Sequence, residues 1–275
     1  MKLSIIIVNY NTKDLLIDCI RSIHQNPPSG DYEILVSDNN STDGSEACAD
    51  MEKVTFLPMG GNLGFSKANN RALEKAKGEY ILFLNPDTLM LKGTLDMCIR
   101  ALSEAPEYGC LGCRVLMENG KLDLACRRGF PTLKNSLFKF TGLDKLFKNR
   151  FFAGYNLLYM PEDGIYPIDC VVGAFMLFPK AVLDKIGGFD ERFFMYGEDV
   201  DLCYRVHHEG FKTLYFGSCS IIHKKRASSK KSKAAKKAFY DSMWLYYEKH
   251  HAQSHSAFSN RLVKFAVGVL KTIKR

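Results

Sequence analysis

No stretch of this chain stays apolar for the roughly 18 residues that crossing a bilayer requires, and no phosphate-cradling loop of the Gly-x-Gly-x-x-Gly or Gly-Lys-Ser/Thr kind occurs. The second absence disfavours a dinucleotide enzyme and a P-loop NTPase. Met1-Lys2 leads straight into an apolar strand rather than a signal peptide, so a cytosolic location is the expectation. The nine cysteines are odd in number and include no repeated CxxC pair. They read as small core residues in a reducing compartment, not as a disulfide framework or a zinc site. Acidic residues are missing from Lys224 to Lys237 and again from Arg261 to Arg275. The net charge of +8 is therefore concentrated in the C-terminal part and implies an anionic partner.

What is present is an ordinary globular composition, 46% hydrophobic and 25% charged over 275 residues. That length suits one large α/β domain with an appendage. Leu3 to Asn9, Tyr32 to Ser37, Val54 to Leu57 and Tyr80 to Leu84 read as strands. Between them come a helix capped by Thr12, a second through Asp50 capped by Ser41 or Thr42, and a third from about Ser66 to Lys77. Four strand–helix alternations predict a doubly wound parallel sheet. Tyr80-Ile81-Leu82-Phe83-Leu84 reads as its central strand, buried on both faces and stopped by Pro86.

The pattern then loosens. A helix near Gly93 to Glu104 precedes short strands around Gly109 to Leu116 and Lys121 to Ala125, and Arg127 to Tyr166 reads as one irregular, aromatic and basic segment. Ile168 to Phe178 returns as a buried strand, Pro179 starts a helix, Glu198 to Glu209 is another, and Lys212 to Phe216 and Ser220 to His223 are strand pieces. In the tail, Leu262 to Lys271 is amphipathic with cationic flanks, the composition of a helix lying on an anionic membrane surface. Packing on the domain or on a second subunit, as in an oligomer, is the other use of such a face. The basic run has no interleaved aromatics and no reader fold, so nucleic acid is not the expected partner.

In a parallel sheet the strand ends carrying Asn9 and Asn11, Asp38 and Asn39, and Asn85 and Asp87 line one crevice, a place for a nucleotide. Without a phosphate loop the diphosphate needs another neutraliser. A divalent cation on Asp87 would serve; the plainer reading is that Asp87 caps the next helix. Glu198 and Asp199 open a helix, where acids are favoured by its dipole, or supply a base at the crevice mouth. His223, at a strand end, is either structural or within reach of Asp87.

Val8-Asn9-Tyr10-Asn11, Asp38 to Ser45, Asn62-Leu63-Gly64-Phe65, Phe83 to Asp87, Gly173-Ala174-Phe175 and Gly188 to Leu202 occur in the order seen in family 2 glycosyltransferases. Over residues 3 to 226 the chain resembles that family, and most of all its bacterial rhamnosyltransferase branch. The resemblance implies a GT-A fold, Rossmann-like and mainly parallel, over residues 1–226. Residues 1–105 would form the nucleotide-binding half, 106–226 the acceptor half, and 227–275 a basic amphipathic helical extension. It implies an inverting transfer of a sugar, L-rhamnose from dTDP-rhamnose being favoured, onto a polyprenyl-diphosphate-linked saccharide in bacterial cell-surface polysaccharide synthesis, at the inner face of the plasma membrane. By position, Asp38, Asn9 and Tyr10 would meet the nucleotide of the donor, with Asn62, Asn85 and Gly173 beside the nucleotide-sugar. Asp87 and His223 would hold Mg2+ or Mn2+, and Asp199 would be the general base with Glu198 holding the acceptor. The sequence departs from the family pattern at Asn85, where the metal motif usually opens with aspartate, and at Asn69, where many relatives carry arginine. A UDP-galactose or UDP-N-acetylglucosamine donor, or a weakly catalytic nucleotide-sugar-binding scaffold, are the alternatives.

Overall fold

The structure, a computed structural model, describes residues 2–224 and 233–273. The expected boundary after residue 226 and most of the basic run lie outside the described residues. β1 spans Leu3–Asn9 and β2 spans Tyr32–Asp38, each buried along its whole length. Val54–Pro58 is β3 and Tyr80–Leu84 is β4. These four lie side by side and parallel in the order β3-β2-β1-β4, the expected doubly wound half. Between them, α1 (Lys13–Gln25) buries Leu16, Cys19, Ile20 and Ile23 against the sheet, and α2 (Phe65–Leu73) buries Ala68 and Ala72.

The second half adds β5 (Thr88–Met90), α3 (Thr94–Glu104), β6 (Tyr108–Met117), α4 (Leu133–Thr141), α5 (Leu143–Leu146), β7 (Ile165–Ile168) and β8 (Phe175–Pro179). It ends with α6 (Lys180–Ile186), α7 (Glu198–His208) and β9 (Lys212–His223). Here the sheet turns mixed: β8 runs antiparallel to both β4 and β6, β9 runs parallel to β6, and β5 and β7 pair antiparallel with β9. Two C-terminal helices follow, α8 (Lys233–His250) and α9 (Ala257–Ile273).

Several local expectations are corrected, each for a visible reason. Thr12 precedes α1 but does not cap it, because its hydroxyl donates to Asn9 Oδ1 at 2.7 Å. The helix expected through Asp50 is a single 3-10 stretch, Ser45–Asp50, preceded by Gly44 rather than capped by Ser41 or Thr42. α2 stops at Leu73, short of Lys77, where Ser4 Oγ and Glu33 Oε1 take the amides of Lys77 and Gly78. Lys121 to Ala125 is no strand, since the Asp123 side chain accepts from Ala125 N and closes a 3-10 turn over Leu124–Cys126. The long strand expected from Ile168 to Phe178 is broken, Ile168 closing β7 and only its end from Phe175 lying in β8, and the two final pieces are one strand, β9, with a register shift opposite Cys113 and Arg114. The segment from Arg127 to Tyr166, expected to be irregular, holds α4 and α5. All nine cysteines are free and buried, as expected of core residues.

Candidate active site

Adjacent parallel strands bring the first three strand ends together. Asn9 stands opposite Asp38 across β1 and β2, while Ile7 stands opposite Leu84 across β1 and β4. Asn9, fully buried, donates through Nδ2 to Asp38 Oδ1 at 2.7 Å and to Ser41 Oγ at 3.0 Å. Asp38 also accepts from the Ser41 hydroxyl on Oδ1 and from the Ser41 amide on Oδ2, at 2.6 and 2.8 Å. Both oxygens of this buried carboxylate are thereby occupied as acceptors. Tyr10, next after Asn9, is 45% exposed. Asn62 turns its Oδ1 to Gly64 N at 3.1 Å and lies exposed on the surface. Asn69 is buried and donates to Phe65 O at 3.0 Å, so within α2 it ties the helix to itself.

Gly64 has a reason to be glycine. Its φ is +83°, and a Cβ there would sit 2.6 Å from the Phe194 ring and 2.7 Å from Phe194 O. Phe65 N donates to that same Phe194 carbonyl at 2.7 Å. The Asn62 to Phe65 turn is thereby clamped to the aromatic loop that leads into α7.

Asp87 does not cap a helix, because β5 follows it directly. β9 pairs antiparallel with β5, placing His223 opposite Thr88. His223 Nε2 then lies 3.0 Å from Asp87 Oδ1 and its Nδ1 3.5 Å from Asp123 Oδ2. All three side chains are buried. Burial alone would lower the basicity of this imidazole, but hydrogen bonds to Asp123 and Asp87, with their charges, outweigh it and hold the pKa above the ordinary histidine value. Asp123 was not expected here; it arrives because the 3-10 turn after β6 presents it to the end of β9. Among the described residues no cluster of three or more His, Cys, Asp or Glu is arranged to hold a metal ion. Asp87 and His223 form a two-donor pair, with Asn85 half-buried two residues before Asp87.

The first turn of α7 holds the other acids. Gly197 (φ +80°) follows Tyr196, itself in the left-handed region at φ +71°; the strain falls on Tyr196, glycine adopting such a φ freely, and the two turn the chain sharply into the helix. Asp199 accepts on Oδ2 from Arg128 Nη2 at 2.6 Å and from Gly173 N at 3.2 Å, and on Oδ1 from Val200 N at 2.8 Å. Arg128 also donates to Val171 O at 2.5 Å. Glu198 is buried beside them, and its Oε2 has no hydrogen-bond partner. Burial, then the neighbouring Asp199 charge, push its carboxyl up to about 8. The two acids thus differ in their surroundings: Asp199 faces a guanidinium, while Glu198 is held in the neutral form at pH 7.

Gly173 contributes its amide rather than bare space, since a Cβ would meet Glu198 Oε1 at an ordinary 3.7 Å. Asn85 N donates to Ala174 O at 3.2 Å. A short covalent and hydrogen-bonded path therefore runs from Asp87 through Asn85, Ala174 and Gly173 to Asp199. Arg128 lies at the start of the segment from Arg127 to Tyr166, which in sequence reads only as basic and aromatic. Its place on Asp199 follows from the antiparallel bridge between Arg128 and Cys170, which no local signal announces.

Residues 4–164 of this chain match the profile of "Glycosyl transferase family 2". The chain belongs to that family. It is a glycosyltransferase, and its α/β fold is the expected GT-A one. Residues 161–228 match a second profile, "N-terminal domain of galactosyltransferase". The N-acetylglucosaminyl-diphospho-decaprenol L-rhamnosyltransferase of Mycobacterium tuberculosis is 28% identical over 215 residues, covering 74% of this chain and 69% of that protein. Rhamnosyltransferase WbbL of Escherichia coli is 29% identical over 232 residues, 80% of this chain and 82% of the relative. The mannosyltransferase PcManGT of Pyrobaculum calidifontis, solved with GDP-Man and Mn2+, shares the fold at a TM-score of 0.63 with 18% identity; the alignment covers 90% of this chain and 63% of that one.

Proposed function

We propose that this glycosyltransferase moves L-rhamnose from dTDP-rhamnose, with inversion, onto a hydroxyl of a polyprenyl-diphosphate-linked saccharide in bacterial cell-surface polysaccharide synthesis. The observation that carries the reaction is the pair of acids opening α7, a buried Asp199 held 2.6 Å from Arg128 beside a buried Glu198. The donor and acceptor classes are supported by the relatives, two of them rhamnosyltransferases and one an N-acetylglucosaminyl-diphospho-decaprenol L-rhamnosyltransferase. We assign the donor to residues 1–105, whose parallel strands end at or just before Asn9, Tyr10, Asp38 and Asn85, with Asn62 in the turn after β3 and Gly173 reaching the nucleotide-sugar from the second half; the acceptor we assign to residues 106–226, which carry Glu198 and Asp199. The enzyme works in the cytoplasm, peripheral to the inner face of the plasma membrane. Among the described residues no helix is long and apolar enough to cross a membrane.

Asp199 takes the proton from the acceptor hydroxyl as that oxygen attacks the anomeric carbon on the face opposite the diphosphate. Arg128 and the Gly173 amide hold the carboxylate in place, and neutral Glu198 keeps a proton with which to donate to an acceptor oxygen. Asn9 and Asp38, locked to each other and to Ser41, shape the nucleotide floor, with Tyr10 at the rim.

Asp87 and His223 fit a divalent cation. Their facing atoms are 3.0 Å apart, and two neighbouring ligands of an octahedral ion at about 2.1 Å also stand about 3 Å apart. Mg2+ and Mn2+ sites commonly complete their shell with water and substrate phosphate, so two protein donors suffice, with the weaker Asn85 amide nearby. A bound cation would offset the charge that develops on the departing diphosphate. Asp123 Oδ2 lies 3.5 Å from the far nitrogen of His223, and with a cation bound it would orient the ring with Nε2 toward the ion.

A UDP-galactose donor is the second reading, favoured by the galactosyltransferase profile over residues 161–228. Hydrolysis and binding of dTDP-rhamnose and UDP-sugars, with and without Mn2+, test both. Selective turnover of dTDP-rhamnose is expected; selective turnover of a UDP-hexose would replace the donor, and binding of no nucleotide-sugar would favour the scaffold alternative.

A further inference from the structure

The segment between Pro131 and Phe152 carries a surface unlike the rest of the protein. Leu133, Leu137, Phe140, Leu146, Phe147 and Phe151 are all exposed on it, Leu146 by 71% and Leu137 and Phe151 by 58% each. Exposed large apolar side chains gathered in so short a stretch mark an interaction site. Interleaved with them are Lys134, Lys145, Lys148 and Arg150, also exposed, whereas Lys139 turns its amine over the Tyr155 ring, 3.7 Å from the centroid. The one acid of the segment, Asp144, is buried and accepts from Asn156 Nδ2 at 3.1 Å. The outer face of α4, α5 and the turn after them is therefore apolar and basic, with no exposed acid.

We propose that residues 133–152 are a docking face for an anionic lipid bilayer, with the leucines and phenylalanines entering the headgroup boundary and the lysines and Arg150 meeting lipid phosphates. Apolar residues that enter the interface beside a ring of cations suit such a surface, and each basic side chain brought to it strengthens binding by about fivefold. A second copy of this chain is a poor occupant, because a two-fold interface would set four cations against four. Phe138 and Phe152, packed 4.8 Å apart between ring centroids, hold α4 and the following turn together, so the face is preformed.

Its position gives it a use. The excursion is closed at its base by Gly129 N donating to Tyr155 O at 2.9 Å, one residue from Arg128 and hence from Asp199. Seating this face on a membrane brings the proposed base to the surface where a lipid-linked sugar would stand. That use rests on the acceptor proposed above, but binding itself does not.

The test is co-sedimentation of the full chain with phosphatidylcholine vesicles, with and without phosphatidylglycerol and in the absence of any sugar. Wild-type protein should pellet with the anionic vesicles only. Leu137→Glu with Leu146→Glu should weaken this by at least about tenfold per side chain, the scale of burying one leucine. Far-UV circular dichroism should stay unchanged, both side chains being largely exposed. Phe258→Glu with Phe265→Glu, on the exposed face of α9, is the comparison. Wild-type binding by the α4–α5 variant, or loss confined to the α9 variant, would overturn the proposal. So would wild-type protein that dimerises in solution and that Leu137→Glu renders monomeric. A failed donor screen beside intact, Leu137-dependent vesicle binding would count against the rhamnose reading alone.

Discussion

Arg128 Nη2 lies 2.6 Å from Asp199 Oδ2, and the two side chains are only 10% and 11% exposed. They come from segments 71 residues apart, one entering the α4–α5 excursion and the other opening α7. Removing one member of a buried ion pair strands the other, at a cost of about 3–5 kcal/mol. Arg128→Met should lower stability on that scale in a denaturant titration. Combining it with Asp199→Asn should recover part of the loss, because no buried charge is then left alone. Additive effects in the double variant would show that the two residues are not coupled.

Asp199→Asn by itself separates chemistry from binding. Loss of a general base costs about 10²–10⁴ in rate, whereas the donor contacts proposed here come from β1, β2 and β4. Calorimetric titration should find nucleotide-sugar affinity nearly unchanged while sugar transfer falls by that factor. Turnover like that of the wild type would remove Asp199 from its proposed role.

Glu198 gives a pH signature. Its carboxyl is raised from 4.5 to about 8 in the folded protein, by burial first and by Asp199 second. A group whose folded pKa is raised contributes stability that is fully present below the unfolded value and is lost as pH rises through the folded one. The melting temperature of the wild type should therefore fall, relative to that of Glu198→Gln, as pH increases from about 4.5 to about 8. A difference between the two proteins that does not vary with pH over that window would refute the assignment.

Chelation and substitution should converge on Asp87, His223 and Asp123. Alanine at Asp87 or His223 should abolish the gain in dTDP affinity that Mn2+ confers on wild-type protein, and EDTA should mimic it. Asp123→Asn, which keeps the shape but weakens the hold on the His223 ring, should reduce Mn2+ affinity by about 10–100-fold. Paramagnetic resonance of bound Mn2+ reads this without turnover.

The C-terminal helices are tied to the α7 region through Asp201, which is fully buried and receives Lys249 Nζ at 2.6 Å and His250 Nε2 at 2.7 Å as well as Arg205. Asp190 adds a second tie to Lys249 at 2.7 Å. Asp201→Ala should loosen α8 selectively, seen as faster hydrogen exchange over 233–250 while β1 and β4 stay protected.

The parallel half of the fold was legible in the residues themselves. A strand buried on both faces reads as a near-continuous apolar run, as Ile5 to Val8 and Tyr80 to Leu84 are, and the polar residues that end such runs fall on one edge because parallel strands all point the same way. Asn9, Asp38, Asn85 and Asp87 were readable from that logic and the ordered motifs. Helix caps were less so, since Thr12 had a competing partner in Asn9 that only the fold supplies. The antiparallel half was not legible. Its contacts are made between segments far apart in sequence, and nothing local in Arg128 or Asp123 distinguishes a surface charge from one that will be buried against a carboxylate or an imidazole. Sequence alone determined that Asn9, Asp38, Asn85 and Asp87 fall at or just beyond the ends of adjacent strands. Tertiary structure decided that Arg128 backs Asp199, that Asp123 backs His223, and that the aromatic segment from 133 to 152 folds into helices with its leucines and lysines facing out, because burial and long-range pairing assign each side chain its charge environment.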